Sequence, residues 1–174
     1  MSDVRLGQSM SVGDQFAVGL AMLEDDLCNA ILVDTGLPWD THTDNVDQHG
    51  MFDALFGGLD YAADLLDTAG LLDRTVVCVL SEFGRTPRLN GDLGKDHWPV
   101  ASALLFGGGV GGGRTLGGTD DEVSALPVDL ATGALDAAGV VPDYGHLIAG
   151  VLGLLDIDPE AWLPGTEDYD GLAV

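Results

Sequence analysis

Apolar positions along the chain fall into two kinds of block, those spaced three or four apart and those run together. Val12, Phe16, Leu20 and Leu23 recur at helical spacing with Asp14 near the start, which predicts a first helix over Val12 to Leu23. Leu27 to Val33 (LCNAILV) is a short apolar run ending at Asp34 and predicts a buried strand. A polar loop follows, Thr35 to Gly50, holding Pro38 and many Asp, Asn and His residues. Met51, Phe52, Leu55, Phe56, Leu59, Ala62, Leu65 and Leu66 then mark a long amphipathic helix that stops near Gly70. Thr75 to Leu80 (TVVCVL) is β-branched and continuously apolar, the signature of a central strand covered on both faces.

Strand, helix and strand in this order predict a βαβ unit with parallel strands and a right-handed crossover. The loops after both strands would then open at one sheet edge, where open α/β sheets bind ligands. Phe83 to Pro99 contains Pro87, Gly91 and Gly94 and has no helical stripe, and Val100 to Phe106 predicts a third strand. Without a helical crossover before it, that strand is expected to run antiparallel and to begin at the same edge. The glycine run Gly107 to Gly118 is read as a flexible turn, not a phosphate cradle, because GxxxxGK[ST] is absent and no helix follows directly. Thr119 to Asp136 reads as loop and short hairpin pieces around Pro127. Asp143 can cap a last helix through Tyr144, Ile148, Val151 and Leu155, and Pro159 to Val174 reads as an irregular tail around Trp162. Neither a repeat nor a linker divides the 174 residues, so the expectation is a single α/β domain with three layers and a mostly parallel sheet carrying one antiparallel strand.

Charge narrows the function classes. The chain carries 29 acids against 6 bases, a net charge of -23, and only five of the acids are Glu. Phosphate contacts need Lys and Arg, so nucleic acid and anionic membrane surfaces are excluded as partners. The acidity fits a surface kept soluble in high salt, a halophilic trait; a cationic partner or a metal store is the alternative. No apolar run approaches the roughly 18 residues of a membrane span. Met1 to Gly13 lacks a basic segment followed by an apolar one, so a cytoplasmic or otherwise unsignalled chain is expected. Cys28 and Cys78 match no CxxC pattern and read as buried, inert thiols.

Three clusters could carry chemistry. In Trp39-Asp40-Thr41-His42-Thr43-Asp44-Asn45, an Asp and a His two apart at the mouth of a loop can reach one cation; an Asx-rich turn is the other reading. Carboxylate oxygen with imidazole nitrogen suits zinc, manganese or iron better than calcium. Ser81-Glu82-Phe83-Gly84-Arg85-Thr86-Pro87-Arg88 places a carboxylate where a strand ends, with two of the chain's few bases close behind. Arg85 can bind a phosphate or sulfate through its planar fork, or simply pair with a neighbouring acid. In Lys95-Asp96-His97-Trp98, Asp96 can orient an imidazole that binds a metal. His49 and His146 have no acidic loop partner evident in the sequence, although His49 could lie behind a ligand.

The motifs WDTH, SEFGRT followed by Pro-Arg-Leu-Asn, DHW, and the GGGV-GGG run resemble a bacterial domain-of-unknown-function family, number 1501, of the alkaline-phosphatase and sulfatase-like superfamily. The resemblance spans roughly Gln15 to Pro164 and corresponds to the C-terminal half of that family's usual length. It implies an alkaline-phosphatase-like fold with one or two divalent ions, zinc or manganese. Asp40, His42 and His97 would hold the first ion and Glu82 the second, with Asp96 and Asp44 as further candidates. Asp44 enters because the superfamily often spaces its first Asp and His four apart, whereas here they are two apart.

The superfamily's upstream nucleophile has no counterpart here; Ser81 and Thr86 are nearby hydroxyls without its position. The resemblance therefore implies a metal-dependent hydrolase of small phosphate or sulfate esters, with Arg85 on the ester and Ser81 as candidate hydroxyl. The alternative is a shortened, non-catalytic relative serving as a metal-binding or interaction module, completed by another chain that supplies the missing N-terminal half.

Overall fold

The first helix begins where a serine can cap it. In the computed structural model, which describes residues 10–173, α1 spans Val12–Glu24 and the Ser11 side chain accepts a hydrogen bond from Asp14 N at 3.1 Å. α2 spans Gln48–Thr68 and α3 spans Tyr144–Leu154. All three helices end in the same way: the C′ residue turns left-handed and two crossed backbone bonds close the last turn. At α2 the residue is Gly70, with Gly70 N donating to Asp67 O and Leu71 N to Leu66 O. At α1 and α3 the left-handed residue is an aspartate, Asp26 or Asp156, at φ 54° and 57°.

The strands are short. β1 (Val76–Val79) pairs antiparallel with β4 (Leu104–Gly107), and β2 (Gly84–Arg85) pairs antiparallel with β3 (His97–Trp98). The expected antiparallel return of the third strand is present, though it begins at Leu104 instead of Val100. The expected three-layer, mostly parallel, alkaline-phosphatase-like sheet is not: among the described residues there are two two-stranded antiparallel sheets and no parallel pair. The βαβ unit fails at its first strand. Leu27 to Val33 forms no ladder, and Leu27 and Leu32 are 68% and 79% exposed. An apolar run records that a segment is suited to burial; it does not supply the neighbours that would bury it.

By contact the chain divides into two units, Met1–Leu72 with Arg88–Asp96, and Asp73–Pro87 with His97–Val174. In the first, α1 packs on α2 through Val12, Leu20, Met51, Leu59, Ala62 and Leu66. Gly58 permits the approach, since a Cβ there would stand 2.7 Å from Val12 Cβ. The extended segment is held at its ends, not along its edge. Ile31 lies over Gly19, and the Gln15 amide, 2% exposed, donates to Asp34 O at 2.7 Å and accepts from Asp34 N at 3.3 Å.

In the second unit the core is Val128, Leu130, Tyr169 and Leu172, with Leu105, Leu116, Leu147, Val151 and Leu154 against it. The glycine run proves to be a docking strip for the tail. Gly111 N donates to Leu172 O at 2.8 Å, and the Arg114 guanidinium donates to Gly111 O, Gly171 O and Ala173 O. The Gly111 amide and the Arg114 cation are thus spent on the chain itself. Loops between it and α3 are pinned by aspartates: the carboxylates of Asp120, Asp129 and Asp136 each accept from a backbone N–H two residues on. Only the shorter acid reaches back this way, which accounts for part of the excess of Asp over Glu.

Cys28 and Cys78 are free and half-buried, and burial pushes the Cys78 thiol up, in line with an unreactive group. Among the described residues no helix is long and apolar enough to cross a membrane. The reading of Met1 to Gly13 as lacking a leader lies, for residues 1–9, outside the described residues.

Candidate metal centre

The loop after the extended segment folds on itself in steps of two residues. Trp39 N donates to Leu37 O, Thr41 N to Trp39 O and His42 N to Asp40 O, at 2.8, 2.9 and 3.1 Å. Alternate side chains therefore leave on opposite sides. Thr41 turns inward, is buried, and accepts from Gln48 Nε2 of α2 at 2.8 Å. Trp39 packs edge-on against Phe52 of α2, with ring centroids 5.0 Å apart. Asp40 and His42 turn outward together.

A second loop from the same unit closes on His42. Asn90 Nδ2 donates to His42 O at 2.9 Å and to Asp96 Oδ1 at 3.1 Å, and Lys95 N donates to Thr41 O at 3.0 Å. Gly94 lies so close to the first loop that a Cβ would meet the His42 carbonyl at 2.0 Å. The outcome is an imidazole between two carboxylates: His42 Nε2 is 3.1 Å from Asp40 Oδ1, and Nδ1 is 3.0 Å from Asp96 Oδ1. A neutral imidazole carries one N–H and can satisfy only one of those carboxylates. The second contact sets a nitrogen lone pair against a carboxylate oxygen unless a proton or a cation stands between them. With Nδ1–H donated to Asp96, Nε2 and the Asp40 oxygen face the same point, the usual pose of a metal-binding histidine held by a carboxylate behind it.

The remaining candidates lie along β2 and β3 and the turn before them. Glu82 is exposed in that turn, and Ser81 Oγ donates to the Phe83 carbonyl at 2.7 Å. Arg85 and His97 are Cα partners in the ladder. The Phe83 ring stacks on the His97 imidazole, centroids 3.9 Å apart and 23° between planes, and the Arg85 guanidinium lies 5.6 Å from the Phe83 centroid.

Asp40 and His42, grouped by the sequence, lie side by side, and Asp96, expected to orient an imidazole, contacts that of His42. Asp44 takes a left-handed conformation at the head of the turn Asn45–Asp47, with its N–H donated to Asp92 O, and has no part in the His42 contacts given above. His49 is exposed in the first turn of α2. His146 does have an acidic partner, three residues back, in the capping box at the start of α3. Asn90, Gly94 and Phe83 were not singled out. Asn90 and Phe83 lie within the Pro-Arg-Leu-Asn and SEFGRT motifs, which was the signal they carried.

The family model for proteins of unknown function DUF1501 matches residues 4–168, and the chain belongs to that family. No curated protein and no solved structure matches it.

Proposed function

We propose that this DUF1501 protein binds a divalent cation through Asp40 and His42, with His97 as third ligand, and acts as a metal-dependent hydrolase of phosphate or sulfate esters. The observation that carries the reading is the His42 imidazole facing a carboxylate at each nitrogen, 3.1 and 3.0 Å away. Asp96 would orient the ring and Asp40 would share the ion. His97 follows Asp96 directly in the chain, one Cα step of about 3.8 Å away. Two imidazoles and a carboxylate suit zinc or manganese, with positions left for water.

Bound there, the ion would lower the pKa of a coordinated water toward neutrality. Glu82 is the candidate for a second ion, and Arg85, with its planar fork, for the ester's anionic oxygens. Support for ester hydrolysis, as distinct from metal binding alone, comes from the resemblance of the SEFGRT and DHW motifs to a family that is placed in the sulfatase-like superfamily.

One observation favours a second reading, a metal-binding module without turnover. The Ser81 hydroxyl donates its hydrogen to the Phe83 carbonyl and not to a general base. On that reading a separate chain would cover the exposed apolar segment Leu27 to Val33. Hydrolysis of nitrophenyl phosphate and nitrophenyl sulfate, with zinc or manganese added, separates the two. Metal-dependent turnover that disappears in His42→Ala supports the hydrolase; metal binding with no release of nitrophenol in either assay supports the module.

A further inference from the structure

We infer that Phe83 is a positioning residue for His97, fixing the imidazole plane through which that histidine would reach the cation; this rests on the metal-binding reading above. A two-residue ladder fixes the backbone of β3 but not the side-chain torsions of an exposed histidine. Rotational freedom in any ligand imidazole weakens binding, because the ring must be ordered before it can ligate.

The Phe83 ring removes much of that freedom by lying 3.9 Å from the imidazole at 23°. Its own backbone is held in turn. Ser81 Oγ donates to the Phe83 carbonyl, and Gly84 sits so close to Val100 that a Cβ would meet the Val100 carbonyl oxygen at 2.0 Å. The same ring has the Arg85 guanidinium 5.6 Å from its centroid, so one aromatic side chain touches both a proposed metal ligand and the proposed ester-binding cation.

The test is zinc and manganese titration calorimetry on the full chain, with Phe83→Leu, Phe83→Tyr and His97→Ala, alongside proton NMR of the His97 ring. Phe83→Leu is expected to bind metal about tenfold more weakly, in the range of changes behind a ligand. Phe83→Tyr, which keeps the ring, should bind like the parent, and all variants should melt within a few degrees of it. The His97 ring protons should lose their ring-current shift in Phe83→Leu even without metal. Should Phe83→Leu not fold, Phe83→Met asks the same question. Unchanged affinity in Phe83→Leu, with the parent binding metal and His97→Ala weakened, overturns the inference and leaves the metal reading standing. A parent chain that takes up neither metal overturns that reading itself, and the NMR shift then still decides whether Phe83 holds the imidazole.

Discussion

The Asp96 carboxylate lies 3.0 Å from Nδ1 of His42, a residue 54 positions earlier in the chain. Asn90 fixes it there by donating to the same oxygen at 3.1 Å. Removing a carboxylate from behind a ligand imidazole frees both the ring orientation and the tautomer. Asp96→Ala is therefore expected to lower zinc affinity roughly 10- to 100-fold while leaving the melting temperature nearly unchanged. Competition against a chelating dye measures it; equal affinity in parent and variant would show that Asp96 is a bystander.

Gln15 is the buried side chain that ties the extended segment to α1. Truncation leaves the Asp34 backbone groups without their side-chain partner. Gln15→Ala should cost about 1–3 kcal/mol, the penalty for unpaired buried polar groups. Leu32→Asp, on the exposed side of the same segment, should change stability by less than about 0.5 kcal/mol. Urea unfolding of the two variants checks the contrast.

Two helices spend a left-handed aspartate where glycine is the usual choice. Asp156 sits at φ 57° after α3, a conformation that costs a side-chain-bearing residue about 1 kcal/mol. Asp156→Gly should raise the melting temperature despite the extra freedom glycine brings to the unfolded chain. A lower melting temperature would mean that the aspartate makes a compensating contribution at this turn.

The N-cap of α3 carries a pH dependence whose sign is fixed. The backbone N–H of His146 holds the Asp143 carboxyl below the usual aspartate range; slight burial opposes this and the His146 side chain reinforces it. A lowered folded-state pKa contributes stability that is present above the unfolded value, about 4, and is lost as pH falls through the folded value. Acid unfolding of Asp143→Ala should therefore converge on the parent as pH drops below about 4, whereas near neutrality the variant should be about 1 kcal/mol less stable. A gap that stays constant from neutral to acid pH would assign the effect to something other than the charged cap.

Much of this was legible from the sequence, and the exceptions share a cause. Helical spacing located α1, α2 and α3, since a helix satisfies its own backbone and needs only one apolar stripe. The antiparallel pairing of β1 with β4 followed from the absence of a crossover helix between them. Leu27 to Val33 was misread because a strand depends on a neighbour that its own residues do not encode. Asp40 and His42 could be joined because they are two apart in one loop. The His42–Asp96 contact could not, because it depends on Asn90 and Gly94 folding a second loop onto the first. The β2–β3 ladder is two residues long on each side, too short for any periodicity to reveal.

The most direct measurement is the metal content of the purified full chain by plasma mass spectrometry, in the parent and in Asp40→Ala, His42→Ala and His97→Ala. Zinc or manganese at a stoichiometry of about one or two per chain, as such sites take one or two ions, falling steeply in each variant, is the expected result. Metal retained in full by all three variants, or none taken up by the parent at saturating zinc and manganese, would contradict it.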